Sequence, residues 1–145
     1  GDGVPQFVHI FAQNTGNFFQ TEQMPIIHPL MVRVGVSSII SIKANLTPKS
    51  DVRVYGGWHT DREFDGLPET YRQTVTTAVF YLNDNDGATE LRDGTFIDAR
   101  RNRVAMFPSG TEHRAVRHTT GDFARIIVNL NFIRYEDEQA NSAIH

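Results

Sequence analysis

The sequence predicts an all-β domain with minor helix, and three observations carry that reading. The strongest periodicity along the chain is two, not 3.6. Segments rich in β-branched and aromatic residues are short and follow one another closely. Clusters such as NDNDG (residues 83–87) and PSG (108–110) punctuate them as turns.

The elements follow in order. In residues 38–46, Ile40, Ile42, Ala44 and Leu46 alternate with Ser41, Lys43 and Asn45, the pattern of a half-buried strand. Residues 67–73 allow one short helical turn. Residues 73–82, QTVTTAVFYL, are apolar on both faces, as a central strand is, and end in the NDNDG turn. Short strands follow at 95–98 and 103–107, split by ARRN. Residues 124–133 form the last strong strand, with Ile126, Val128, Leu130 and Phe132 apolar and Arg125, Asn129 and Asn131 between them. That alternation fits a surface strand, or a strand whose polar face lines a cavity; the metal motif below, with Arg125 sharing the parity of Asn129 and Asn131, favours the cavity. Helix signals elsewhere are thin, with 136–143 a further short candidate. Many short strands at this length fit a double-sheet jelly roll.

Length and composition bound the function. The 145 residues suit one domain spanning 1–145. Without cysteine, disulfides, thiolate zinc sites, iron–sulfur clusters and cysteine nucleophiles are excluded, so any metal needs nitrogen and oxygen ligands. A net charge of −3 and no basic run beyond two residues argue against a general nucleic-acid or anionic-membrane surface. No apolar stretch approaches the roughly 18 residues of a membrane span. The first residues, GDGVPQF, lack a signal-peptide pattern, and the expectation is a soluble, cytoplasmic protein.

The chemistry concentrates in GWHTD, residues 57–61. His59 is the only histidine with a carboxylate two residues on, at Asp61. On extended backbone the two side chains point to one side and reach one ion. The bare pattern is weak, because 6 His and 17 acids in 145 residues give about 0.7 chance matches. Glu63 and Asp65 compete with Asp61. A third ligand belongs on a later strand, where His113 in FPSGTEHRAV competes with His118 in the loop HTTGD. Two histidines and one carboxylate on one face of an ion form the facial triad of non-haem Fe(II) oxygenases. Arg125 opens the final strand, and its planar fork suits a carboxylate-bearing co-substrate. His9, His28 and His145 have no partner pattern. Tyr55 and Trp58 flank the motif and are candidates for the substrate entrance.

Four segments in order, HTD, TAVFYLNDNDGATEL, NRVAMFPSGTEHRAV and ARIIVNLNF, resemble the Fe(II)- and 2-oxoglutarate-dependent dioxygenases, especially the prolyl-hydroxylase-like branch. The resemblance runs from about residue 39 to 132. It implies a double-stranded β-helix, the cupin-like jelly-roll barrel. It also implies His59, Asp61 and His113 as iron ligands, Arg125 as partner of the distal 2-oxoglutarate carboxylate, and Tyr81 as a hydroxyl donor to that carboxylate. Dioxygen and a peptide or small-molecule substrate, a prolyl residue being the closest analogy, are the implied partners. Asp61, rather than a small residue, implies hydroxylation rather than halogenation. The sequence departs from the family where its hairpin Gly-Gly is Gly87-Ala88, and it is short at the N-terminus, where members often carry buttressing helices. The alternative is a non-redox cupin-like jelly roll that binds a metal or small molecule, although the cupin H-x-H pattern is absent.

Overall fold

The computed structural model describes residues 6–14, 17–61 and 66–135. Nine strands and two short helices make up the fold. In chain order they are β1 (Phe7–Asn14), β2 (Phe18–Gln20), α1 (His28–Val34), β3 (Val36–Pro48), α2 (Glu69–Thr74), β4 (Thr76–Tyr81), β5 (Ala88–Leu91), β6 (Phe96–Asp98), β7 (Val104–Pro108), β8 (His113–Val116) and β9 (Ala124–Arg134). A 3₁₀ turn, Met24–Ile26, precedes α1. One sheet has the order β2-β1-β3-β9-β4-β7 and the other β6-β5-β8. All strand pairs are antiparallel. Bridges from Tyr55 to Val116 and from His59 to His113 lay the GWHTD segment along the free edge of β8. The result is the all-β jelly roll that the periodicity predicts.

The large sheet is covered on both faces, which is why β4 and β9 are buried along most of their length. On the outer face Ile42, Ala78, Val128, Leu130 and Phe132 pack with Phe11, Ile27 and Val34, and with Met24, Leu30 and Met31 beside them. On the inner face Val79, Tyr81 and Ile127 meet Leu91, Ala99, Ala105 and Phe107 inside the barrel. The even positions of β9 therefore build the outer core. Its odd positions, Arg125, Ile127, Asn129 and Asn131, face inward, so of the two readings of that strand the cavity holds.

Three expectations change. A bulge in the β3–β9 register between Ile39 and Ser41 shifts the alternation of β3. Ile39, not Ile40, joins Ile42 and Ala44 against the outer core. Residues 73 and 74 belong to α2 rather than to the strand, which starts at Thr76. The helix α1 was not expected, because β-branched Val32 and Val34 disfavour it. Its signals are Pro29 in the first turn and Gly35, at φ 79°, as a left-handed cap whose N–H reaches the Met31 carbonyl at 3.1 Å. This helix buttresses the barrel on a side where the sequence suggested little support. The helix expected at 136–143 lies outside the described residues. No helix among them is long and apolar enough to cross a membrane.

Candidate metal centre

His59, Asp61 and His113 converge. One donor atom from each lies within 4.8 Å of the others. Two backbone hydrogen bonds set this up: the His59 N–H donates to the His113 carbonyl at 3.0 Å, and the His113 N–H to the His59 carbonyl at 2.9 Å. Directly paired residues present their side chains on one face, and Asp61 joins them by strand alternation.

Each imidazole is also fixed in its ring plane. Nδ1 of His59 lies 2.9 Å from the Gly57 carbonyl, and Nδ1 of His113 lies 3.0 Å from the Thr111 carbonyl. A carbonyl only accepts, so each Nδ1 carries a hydrogen, and in the neutral ring each Nε2 offers its lone pair to a metal. Oδ1 of Asp61 stands 3.9 Å from Nε2 of His59 and 3.4 Å from Nε2 of His113. Donors held at about 2.0–2.2 Å around one ion sit about 3 Å apart, so small torsional adjustments bring this set onto an iron-sized cation. With no thiolate in the chain, the donor set is two imidazoles and a carboxylate, which fits Fe(II).

Electrostatics agree with a preformed acceptor. Burial alone would raise the Asp61 carboxyl, but hydrogen bonds from His113 and Asn131 and the His113 and Lys43 charges outweigh it, holding it at about 2. For His113, burial works against the charged ring, yet the bond to Asp61 wins and its pKa is raised. The other oxygen of Asp61, Oδ2, accepts from Nδ2 of Asn131 at 2.7 Å and Nδ2 of Asn129 at 3.3 Å. Sequence reasoning put both asparagines on the cavity face and gave them no role. The signal was available: two amides at odd positions of one strand, opposite the carboxylate motif.

Arg125 is buried, at 3% exposure, deep in the barrel. Its Nη2 donates to the Ala88 carbonyl at 3.2 Å, its Cζ lies 5.7 Å from the Tyr81 ring, and its Nε has no hydrogen-bond partner. Among the described residues no ion pair to a carboxylate is formed by this guanidinium. Burial accordingly lowers its pKa. Gly87 makes room for it, since a Cβ there would come within 2.9 Å of the Arg125 Cδ. Tyr81 is fully buried; burial raises its pKa although its hydroxyl donates to Thr89 Oγ1 at 2.7 Å.

The competing residues fall elsewhere. His118 sits in the loop after β8, as expected, but is fully buried there, and its Nε2 lies 3.0 Å from the Asp122 carbonyl, away from the triad. The other arginines that could serve in place of Arg125 are engaged too: Arg117 donates to the Pro48 carbonyl and Arg103 to the Asp98 carbonyl. Glu63 and Asp65 lie outside the described residues. Trp58 and Tyr55 form a stack with arginines: Arg114 sits 4.3 Å from the Trp58 ring and 4.8 Å from that of Tyr55. Arg114 is itself paired to Glu90 at 2.8 Å. A cavity of about 630 Å³ beside the ligand strands is lined by Thr60, Glu69, Arg72, Arg92, Thr111 and Glu112, among others.

No protein-family model and no curated protein matches the sequence. Solved structures do match in fold. The nickel complex of the non-heme monooxygenase ThoJ aligns with a TM-score of 0.54 at 16% identity, over 75% of this chain and 49% of that one. The DMSP lyase DddQ from Ruegeria pomeroyi DSS-3 aligns with a TM-score of 0.50 at 13% identity, over 90% of this chain and 48% of that one. A cupin domain from Bordetella pertussis Tohama I aligns more loosely, with a TM-score of 0.40 at 16% identity over 62% of this chain and 77% of its own. The chain spans about half the length of the first two. The first two share the all-β fold, the candidate metal site rests on this chain's own geometry, and none of the three singles out the prolyl-hydroxylase-like branch.

Proposed function

We propose that the protein is an Fe(II)- and 2-oxoglutarate-dependent dioxygenase that hydroxylates a peptide or small-molecule substrate, releasing succinate and carbon dioxide. The observation that carries this reading is Arg125. A guanidinium that is 3% exposed with an unpartnered Nε is costly unless an anion joins it. It lies on the same inward face of β9 as the asparagines that hold Asp61. A dicarboxylate bound there would pair one end with Arg125 and offer the other to the metal. Supporting it, the triad leaves part of an ion's coordination sphere open, and the wider fold includes a structure named as a non-heme monooxygenase.

In this reading His59, Asp61 and His113 would hold the iron, which with 2-oxoglutarate supplies the oxidative chemistry. Arg125 binds and orients the co-substrate through its far carboxylate. Tyr81 donates a hydroxyl hydrogen bond beside it, exchanging its present bond to Thr89. Val79, Leu91, Ala105 and Phe107 keep water from the inner end of the barrel. Trp58 and Tyr55, beside the exposed edge of His59, border the approach for the substrate. A prolyl side chain is the analogy that the sequence resemblance suggests.

A non-redox metal lyase is the second reading, since the fold is shared with a protein named as a DMSP lyase. There Arg125 would pair with a substrate carboxylate. Anaerobic titration separates the two. Fe(II) together with 2-oxoglutarate should give a weak visible charge-transfer band that neither gives alone. No band and no 2-oxoglutarate binding would overturn the oxygenase reading in favour of the second.

A further inference from the structure

A line of polar side chains runs inside the barrel to the metal-facing carboxylate. Ser41, Asn131 and Thr77 are direct cross-strand neighbours on β3, β9 and β4. All are buried, at 0%, 0% and 1% exposure. The Asp61 carboxylate only accepts, so the Asn131 atom 2.7 Å from its Oδ2 must be the amide nitrogen. The Oδ1 of Asn131 then takes the Thr77 hydroxyl hydrogen at 2.6 Å. Thr77 has one hydrogen and has used it, so it accepts from Ser109 Oγ at 2.7 Å. Every bond in the line Ser109–Thr77–Asn131–Asp61 therefore points the same way. Ser109, at 1% exposure, is the serine of the Phe-Pro-Ser turn, and its own N–H is tied to the Val75 carbonyl at 2.8 Å.

The two oxygens of Asp61 thus have different surroundings. Oδ1 faces the two imidazoles. Oδ2 is held by Asn131, with a longer bond from Asn129. We propose that Asn131, anchored by Thr77, is a positioning residue that keeps Asp61 a one-oxygen ligand, so that its second oxygen cannot turn into the coordination sphere and fill a position needed by other ligands. Asn129 is the lesser partner. Its nitrogen is 3.3 Å from Oδ2, and its buried Oδ1 has no hydrogen-bond partner to hold the amide. The proposal deepens the metal-centre reading and rests on it.

The test uses Co(II) and Fe(II) bound to the whole protein in wild type, Asn131→Leu, Asn129→Leu and Thr77→Val. Thr77→Val keeps the shape, does not touch Asp61, and removes the hydroxyl that donates to Asn131 Oδ1 and accepts from Ser109, leaving the longer Asn131 bond to Ser41 in place. Cobalt d–d band intensity reads coordination number independently of turnover. Asn131→Leu should weaken metal affinity about 10- to 100-fold, the range for losing an outer hydrogen bond to a ligand. It should also lower the cobalt band intensity as a second carboxylate oxygen enters the sphere. Thr77→Val should shift both in the same direction by a smaller factor, and Asn129→Leu less than Asn131→Leu. If wild type binds metal but Asn131→Leu and Thr77→Val match it in affinity and spectrum, the positioning role is overturned while the metal centre stands. Should Asn131→Leu fail to fold, Thr77→Val decides alone. A wild-type protein that binds neither metal would sink the metal-centre reading itself.

Discussion

Nε2 of His113 stands 3.4 Å from Oδ1 of Asp61, with both side chains nearly buried. Donor and acceptor from distant parts of the chain meet here because one backbone bridge, His59 to His113, brings their strands together. The contact gives the metal-free protein a pH dependence of its own.

The Asp61 pKa is depressed to about 2 by its partners despite burial. Its contribution is present above the unfolded value of about 3.9 and is lost as pH falls through about 2, worth about 2 kcal/mol. The His113 pKa is raised. Its contribution is complete below the unfolded value of about 6.5 and disappears as pH rises through the folded one. The stabilisation from this pair in the metal-free protein therefore peaks between about pH 4 and 6.5. Thermal unfolding of wild type and Asp61→Asn across pH 2–9 checks it: the Tm difference should be widest in that window and narrow on both sides. A metal must displace the His113 proton, so metal affinity should climb with pH across the upper edge of the window.

Asp61→Ala and His113→Ala should each lose metal affinity beyond the roughly 10- to 100-fold of outer changes, since a direct ligand goes. His118→Ala should leave metal affinity in place. Its ring is fully buried and bonded to the Asp122 carbonyl, so that variant should lose stability instead, by about 1–3 kcal/mol. Metal titration with thermal unfolding of all three variants checks the assignment, and loss of metal only in His118→Ala would reverse it.

Arg125→Met should raise the dissociation constant for 2-oxoglutarate by roughly 30- to 4,000-fold, from about 2–5 kcal/mol of lost pairing. Fe(II) affinity should stay within a few-fold, because Arg125 is no ligand. The unliganded protein should be as stable as wild type or more so, since an apolar side chain replaces a buried charge without an ionic partner among the described residues. Arg125→Lys should fall between, keeping charge and losing the fork. Titration of the co-substrate against each variant, with Tm of the unliganded forms, measures all three effects.

The strands that pass through the middle of the sheet were legible because both of their faces are buried: QTVTTAVFYL and ARIIVNLNF are rich in β-branched, aromatic and other apolar residues with few charges. The metal triad was legible because H-x-D on extended backbone and a later histidine survive as local patterns. What escaped needed tertiary information. β1 and the edge strand β2 expose Phe7, Val8, Phe18 and Phe19, so little buried face marks them. The bulge at Ile39–Ser41 is a register property of two strands and leaves no trace in one. The loop around His118 was legible but its burial was not, because that depends on chain packed from elsewhere. The Asn131 amide has meaning only beside Thr77 and Asp61, residues brought to it by two other segments of the chain.

Two alphabets are interleaved along β9. One set of letters meets α1 and the outer core; the other meets the arginine and amide positions of the centre. Drift in the first set can retune thermal tolerance without touching the chemistry, and drift in the second can change ligand choice without disturbing the scaffold. A frame slip is the one change neither set can absorb. Inserting a single residue near Arg125 would send the guanidinium toward the outer, apolar face of the sheet and turn Leu130 and Phe132 toward the inner face. Lineages sharing this barrel are therefore expected to tolerate length changes in the loops on either side of β9, and to forbid them within it.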